Sequence, residues 1–288
     1  MQTQSTTSNT SVRYLRWQGN NFGDNLNDIL FQDIFGINNS VLVHNSPGCG
    51  EPLSNGINLL GIGSLFNSGL ELTGKAALWV IGSGAGYSPA RPKTIPSNNN
   101  IIFFVRGPLT CQYFGLPPSL AIADASYLLA DKFRSVARSN PLKPCRFGVI
   151  PHHFSLEANP LRWGKVSKNA FIIDPHLDWQ TFIRQVNSCE VILTECLHGA
   201  IAADILRKPF IVFATTPVFH SFKWLDWMSS MGLPLNIRLF NFDDPEELYR
   251  TETPLLSKQE TLDRIQEQLD RKKGEILHHL ERIASDRP

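Results

Sequence analysis

The sequence predicts an α/β protein of two domains, each a parallel sheet with helices on both faces, facing one another across a cleft. Three observations lead there. Short apolar runs recur along the chain and end in small or polar turns, as at residues 57–64, 77–86 and 101–107; such runs suit strands buried on both faces. Amphipathic segments at helical spacing alternate with them, the pattern of strand–helix–strand units. The alternation resumes between 146 and 213, after a basic, poorly patterned stretch at 132–144 that reads as a domain boundary. The expected division is a flexible tail (1–11), a first domain (12–140), a second domain (141–232) and a helical extension (233–288).

The tail is rich in Ser, Thr, Asn and Gln and has no apolar signal core. Residues 12–17 alternate as a strand. The polar turn Asn20-Asn21-Phe22-Gly23-Asp24-Asn25 follows, and then Leu26, Ile29, Leu30 and Ile34 mark an amphipathic helix. The turn after a first strand is a usual place for ligand contacts in open α/β sheets. Asn21, Gly23, Asp24 and Asn25 are therefore substrate-binding candidates, although Asp24 or Asn25 also suits a helix cap. Residues 41–43 form a short strand before a Gly-, Pro- and Asn-rich loop at 44–56. The runs at 57–64 and 77–86 both enter glycine turns, where Gly63, Ser64 and Gly84 let a ligand or another backbone come close. Neither run is a GxGxxG fingerprint or a Walker loop.

A strong strand at 101–105 delivers Arg106 to its carboxyl end, and Pro108 suits the first turn of a helix. Guanidinium matches carboxylate or phosphate with its forked donors, so Arg106 is either a ligand-gripping residue or half of a structural salt bridge. Residues 121–126 read as a short strand and turn. The strand at 146–150 ends in Pro151-His152-His153; no third ligand of suitable local spacing accompanies the two histidines, so they are substrate-binding candidates and no metal is expected. A strand at 170–173 and a helix at 178–187 come next.

The chain is organised around residues 191–205. Val191, Ile192 and Leu193 form a buried strand, Thr194, Glu195 and Cys196 turn, and a helix begins at Leu197 with Ile201 and Ile205 on the same face. His198 falls in its first turn, where unpaired N–H groups and the helix dipole favour an anion. A strand at 210–213 follows, then a Trp-containing helix at 220–231 that carries Lys223 near the cleft. Ser257 and Glu260 have capping-box spacing. Leu262, Ile265, Leu269, Ile276, Leu280 and Ile283 form the seam of a long charged helix, which packs on the protein's own body or on a second subunit, so a homo-oligomer is one expectation.

Composition narrows the function. Hydrophobic residues make up 42% and charged residues 18%, enough for a large core. A net charge of +1 gives no electrostatic pointer to nucleic acid. The 5 cysteines are scattered without a CxxC pair, which suits free thiols in a reducing cytoplasm. No apolar run is long enough to cross a membrane, so a cytoplasmic protein is expected, with peripheral association at the inner membrane face compatible. GxSxG and HExxH motifs are absent as well, which disfavours hydrolase readings.

Several motifs in order resemble the polysaccharide pyruvyl transferase family: Asn21-Phe22-Gly23-Asp24-Asn25-Leu26-Asn27, the turn from Gly82 to Gly86, Val105-Arg106-Gly107-Pro108, Ala123-Asp124-Ala125, Gly148-Val149-Ile150-Pro151-His152, and Leu197-His198-Gly199. The resemblance implies two Rossmann-like domains in a GT-B-like arrangement and phosphoenolpyruvate as donor substrate, with no cofactor. It also implies a sugar of a polysaccharide or lipid-linked oligosaccharide as acceptor, on which pyruvate forms a ketal. By the same resemblance Arg106 grips the donor, Leu197, His198 and Gly199 line its site, and His198 is the catalytic acid. The chain departs where the family often has arginine before Leu-His: Cys196 stands there, so Lys223, Arg207 or helix N–H groups would meet the donor charge. A GT-B-like glycosyltransferase using a nucleotide sugar and a catalytically silent saccharide-binding protein are the alternatives.

Overall fold

A computed structural model describes residues 11–43, 56–66, 76–85, 100–166, 170–215, 220–234, 238–239 and 244–285. The loop expected at 44–56 lies almost entirely outside them. In the first half, β1 (Val12–Trp17), β2 (Ser40–Val43), β3 (Ile57–Leu60), β4 (Ala77–Ile81) and β5 (Ile101–Phe104) form one sheet in the order β2-β1-β3-β4-β5. In the second, β6 (Cys145–Ile150), β7 (Phe171–Ile172), β8 (Cys189–Thr194), β9 (Phe210–Ala214) and β10 (Arg238–Leu239) pair as β10-β9-β8-β6-β7. Every pairing in both sheets is parallel. β4 is buried at every position, as a strand covered on both faces must be.

Helices connect these strands. In the first half they are α1 (Phe22–Asp28), which a π-helical turn at Ile29–Ile34 continues, and α2 (Pro108–Phe114). Next come α3 (Ala130–Arg138), α4 (His153–Ala158), α5 (Pro160–Val166), α6 (Trp179–Ser188) and α7 (Leu197–Ile205). The chain finishes with α8 (Ser221–Met231), α9 (Pro245–Thr251) and α10 (Gln259–Ser285). Asn21 caps α1 by accepting from Asp24 N–H at 3.1 Å, and Asp178 caps α6 by accepting from Thr181 N–H at 2.9 Å.

Four local expectations are corrected. The segment 132–144 is not all connection: its first part is the end of α3, which buries Phe133 and Ala137. Residues 121–126 form one isolated bridge, Ala121 to Val105, and run into a 3-10 turn at Ala125–Leu129. The C-terminal extension is not purely helical, because β10 adds an edge strand to the second sheet. The capping box at Ser257 does not form. The Ser257 N–H that Glu260 would have accepted is donated instead to the buried Asp204 carboxylate at 2.9 Å, and Arg207 holds the Ser257 carbonyl at 2.8 Å.

The two halves share one apolar core. Phe22 reaches from α1 into the second half, where its ring stacks on Phe182 at 3.8 Å and tilts against Phe133 at 6.1 Å. Its backbone N–H donates to the Pro175 carbonyl at 2.7 Å. The long helix α10 returns to the first sheet, and the His279 ring meets Trp79 and Phe103 edge-on. Its Leu262, Ile265, Leu269 and Ile276 are buried in the same core, so much of the predicted seam packs on this chain. Removing a buried phenylalanine ring costs about 3–5 kcal/mol. Phe22→Ala is expected to lower unfolding stability by about 3 kcal/mol, read as a lower denaturant midpoint with an unchanged m-value.

Candidate active site

The carboxyl edges of the two sheets meet, and the predicted residues converge on that junction. β8 ends in a turn that Thr194 fixes: its hydroxyl oxygen accepts from Cys196 N–H at 2.9 Å and its hydroxyl donates to the Cys196 carbonyl at 3.0 Å. Helix α7 starts there. All its residues except His198 are buried, because it lies between the second sheet and α1, α3 and α6. His198 points back to the first half and lies over Gly23, where a β-carbon would stand 2.0 Å from its Nδ1. Only glycine at 23 lets the ring sit there. On the other side, His198 Nε2 faces Asp124 Oδ2 at 3.8 Å. Neither atom has a hydrogen-bond partner among the described residues, and the side chains are 11% and 0% exposed. The second carboxylate oxygen of Asp124 is fixed by Ser126 N–H at 3.0 Å and Ser126 Oγ at 2.7 Å.

Electrostatics differ for the two carboxylates near this ring. Burial would raise the Asp124 pKa, but His198, Arg106 and the Ser126 amide outweigh it and hold the carboxyl below its usual value. For Asp24 burial prevails over Asn21, His198, Lys223 and Arg16, and its pKa is raised. Lys223, on α8, acts on the whole surrounding group. It lowers the pKa values of His152, His153 and His220, in each case after burial, and opposes the burial that raises Cys196. His152 is pushed down to about 3.

Arg106 does not open towards solvent. It is fully buried, and its Nε pairs with Asp226 Oδ2 of α8 at 3.2 Å. Its Nη1 donates to Ser64 Oγ at 3.1 Å and its Nη2 to the Ala85 carbonyl at 3.5 Å. Thr110 completes the pair, donating its N–H to Asp226 Oδ1 at 2.9 Å and its hydroxyl to Oδ2 at 2.6 Å. Of the two sequence readings of Arg106, the geometry is that of the structural salt bridge. Gly84 belongs to the same arrangement: a β-carbon there would stand 2.1 Å from Arg106 Nη2, so the space it leaves is taken by the guanidinium, not by a ligand. Gly63 has φ +112 and accepts Gly84 N–H at 3.0 Å and Ser83 Oγ–H at 3.0 Å.

The remaining candidates divide. Asn21 caps α1 and donates to Asp24 Oδ2 at 2.6 Å, so capping and site placement coincide there. Asn25 faces Asn20 at 3.3 Å and Arg16 at 3.5 Å. The His152 and His153 rings lie 4.2 Å apart at the end of β6. Three supporting residues lie outside the candidates that the sequence singled out. Asp226 is 120 residues from its partner. Asn27 joins α1 to the turn after β3, donating to the Ile62 carbonyl and accepting from Ile62 N–H, each at 2.9 Å. Glu195 ties three strand ends together, accepting from His152 N–H at 3.1 Å and from Thr215 N–H and Oγ–H, each at 2.6 Å.

Comparison with known proteins gives this junction a family. A family model described as polysaccharide pyruvyl transferase matches residues 9–217, most of the chain and both sides of the site. The chain belongs to the polysaccharide pyruvyl transferase family. It is similar to the succinoglycan biosynthesis protein ExoV of Rhizobium meliloti (strain 1021), 33% identical over 224 residues. That match takes in 76% of this chain and 64% of ExoV, so the chain spans somewhat under two thirds of that relative. Among solved structures it is similar to the wall teichoic acid polymerase TagF, with a TM-score of 0.40 and 9% identity over 96% of this chain and 90% of that one.

Two outcomes are expected from this geometry. Removing one partner of a buried ion pair strands the other charge and costs about 3–5 kcal/mol; Asp226→Ala should lower the chemical-denaturation stability by that amount. The second concerns acid. An unfolded histidine binds a proton near pH 6.5, whereas folded His152 does so only near 3. Between those values the unfolded state holds the extra proton, so stability falls as pH falls. Denaturation midpoints measured from pH 7 to pH 4 should show a shallower decline in His152→Gln than in the wild type.

Proposed function

We propose that the chain transfers pyruvate from phosphoenolpyruvate to a sugar of a polysaccharide or its lipid-linked precursor, forming a pyruvate ketal, with His198 as the acid. The observation that carries this reading is the placement of His198: first turn of α7, between Gly23 and the Asp124 carboxylate, at the junction of both sheets. Family membership supports the transferred group and the class of acceptor.

Ketal formation begins with a proton delivered to the methylene carbon of the enol phosphate, which leaves positive character on the carbon bearing phosphate. A sugar hydroxyl adds to that carbon, the C–O bond to phosphate breaks, and a second hydroxyl closes the ring as its proton is lost. The balance is one phosphoenolpyruvate and two hydroxyls giving one ketal and one phosphate. Histidine suits the first proton transfer, since its unperturbed pKa is near neutrality. Asp124, facing Nε2, would fix the ring's orientation and offset the charge of an imidazolium.

Donor anion binding falls to the N-terminus of α7, with Leu197, His198 and Gly199, and to Lys223. Arg106 supports this indirectly: its ion pair anchors α8 at Asp226, one helical turn from Lys223. Cys196 supplies no arginine, and burial raises its thiol pKa, so it adds no charge near neutral pH.

The test is calorimetric titration with phosphoenolpyruvate beside a UDP-glucose control, followed by phosphate release with oligosaccharide acceptors. His198→Ala should lose about 10²–10⁴-fold in turnover while still binding phosphoenolpyruvate. Full turnover in that variant would remove the acid role. Binding of UDP-glucose without phosphoenolpyruvate would instead indicate a glycosyltransferase.

A further inference from the structure

We infer that Phe154, with Glu157 and Asp174, forms the acceptor-sugar platform of this site, taking a neutral hexopyranose whose C–H face lies on the ring. The inference rests on the proposed transferase reading for what happens next to the sugar, but its geometry stands apart from the donor.

A group of three mutually tilted rings stands at the carboxyl end of β6. His152 and His153 lie 4.2 Å apart, and Phe154 lies 4.1 Å from His153 and 5.4 Å from His152. The histidines cover one side of Phe154, yet the residue stays 66% exposed. Phenylalanine is among the residue types most often fully buried. Two carboxylates meet His176, whose ring lies 6.3 Å from that of His153. His176 Nδ1 holds Asp174 Oδ1 at 2.8 Å, and its Nε2 faces Glu157 Oε1 at 3.2 Å. The side chains of Asp174 and Glu157 are 49% and 62% exposed, so their carboxylates face water. A supported ring beside fixed, water-facing acceptors matches a pyranose, which has an apolar C–H face edged by hydroxyl donors.

The platform adjoins the acid. Pro175, next to Asp174, accepts the Phe22 N–H at 2.7 Å, and Gly23 is the residue over which His198 lies. The loop that carries Asp174 thus reaches the acid's support, and His152 and His153 are both near enough to Lys223 to be shifted by it. Charge selects the occupant. Two exposed carboxylates beside the ring repel anionic lipid headgroups and accept from neutral hydroxyls, so a sugar fits where an anionic membrane surface does not.

Saturation-transfer NMR on the full chain tests this, with methyl β-D-glucopyranoside, methyl β-D-galactopyranoside and methyl α-D-mannopyranoside as probes. At least one should bind the wild type. Its affinity should fall about tenfold in Phe154→Ala, the scale of a lost aromatic contact, and be retained in Phe154→Trp. Phosphoenolpyruvate affinity, titrated on the same samples, should be equal in wild type and Phe154→Ala. Absence of all three sugars from the wild type, or equal sugar affinity in Phe154→Ala, overturns the platform. So does a Phe154→Ala defect seen only in binding to phosphatidylglycerol vesicles. A wild type that binds sugar through Phe154 but not phosphoenolpyruvate leaves the platform standing and removes the donor reading.

Discussion

A fully buried guanidinium–carboxylate pair, Arg106 with Asp226, sets what the rest of the structure can do. Neither charge can leave water without the other, and neither is satisfied by one partner. The carboxylate takes three donors, from Arg106 Nε and from the N–H and hydroxyl of Thr110. Two further guanidinium donors go to Ser64 and the Ala85 carbonyl. These contacts gather the ends of β3, β4 and β5, the start of α2 and the middle of α8 at one point. Helix α8 follows β9 of the second sheet in the chain yet packs on α2 of the first half. The halves are therefore joined by a charge that must be paired as well as by the apolar core around Phe22, Phe182 and Trp227.

Fixing α8 has an electrostatic consequence. It brings Lys223 among Asp24, Cys196, His152, His153 and His220, all of which feel its charge. Across His198 the two carboxylates respond differently. Asp124 is held acidic by its neighbours in spite of burial, and Asp24 is driven the other way by burial itself. Environments that separate the pKa values of neighbouring acids commonly accompany proton-transfer chemistry. The backbone around them is held by side chains with no charge to offer a substrate, such as Asn27 and Thr194, and by Glu195, whose oxygens are occupied by His152 and Thr215.

Family membership and this geometry meet at Cys196. The arginine often found before Leu-His is absent, and the cysteine there is half-buried. Under the proposed reading, anion binding in this chain would rest on helix N–H groups and on a lysine from α8, a division of labour that would make the distant ion pair matter to the site. Lysine is a compact charge on a flexible stem, without the fork of a guanidinium. The geometry of anion binding would accordingly be set more by the α7 N-terminus than by the side chain.

Strand and helix order was legible because it depends on local patterning. Apolar runs such as 101–104 and the first-turn position of His198 follow from sequence neighbours, whereas the cap of α1, expected at Asp24 or Asn25, is Asn21. Where reading failed, a distant group had intervened. Ser257 has capping-box spacing, but Asp204, 53 residues earlier, took its N–H. Gly84 reads as a turn glycine, whereas the space above it is filled by Arg106. The sequence by itself determined the α/β class, the family motifs and the histidine at the start of α7. Only the tertiary structure decided that Arg106 is sealed by Asp226, that Asp124 faces His198, and that Phe154 stands exposed beside two carboxylates. Periodicity is fixed by backbone geometry within a few residues, but a buried charge or an exposed ring depends on what the completed fold brings against it.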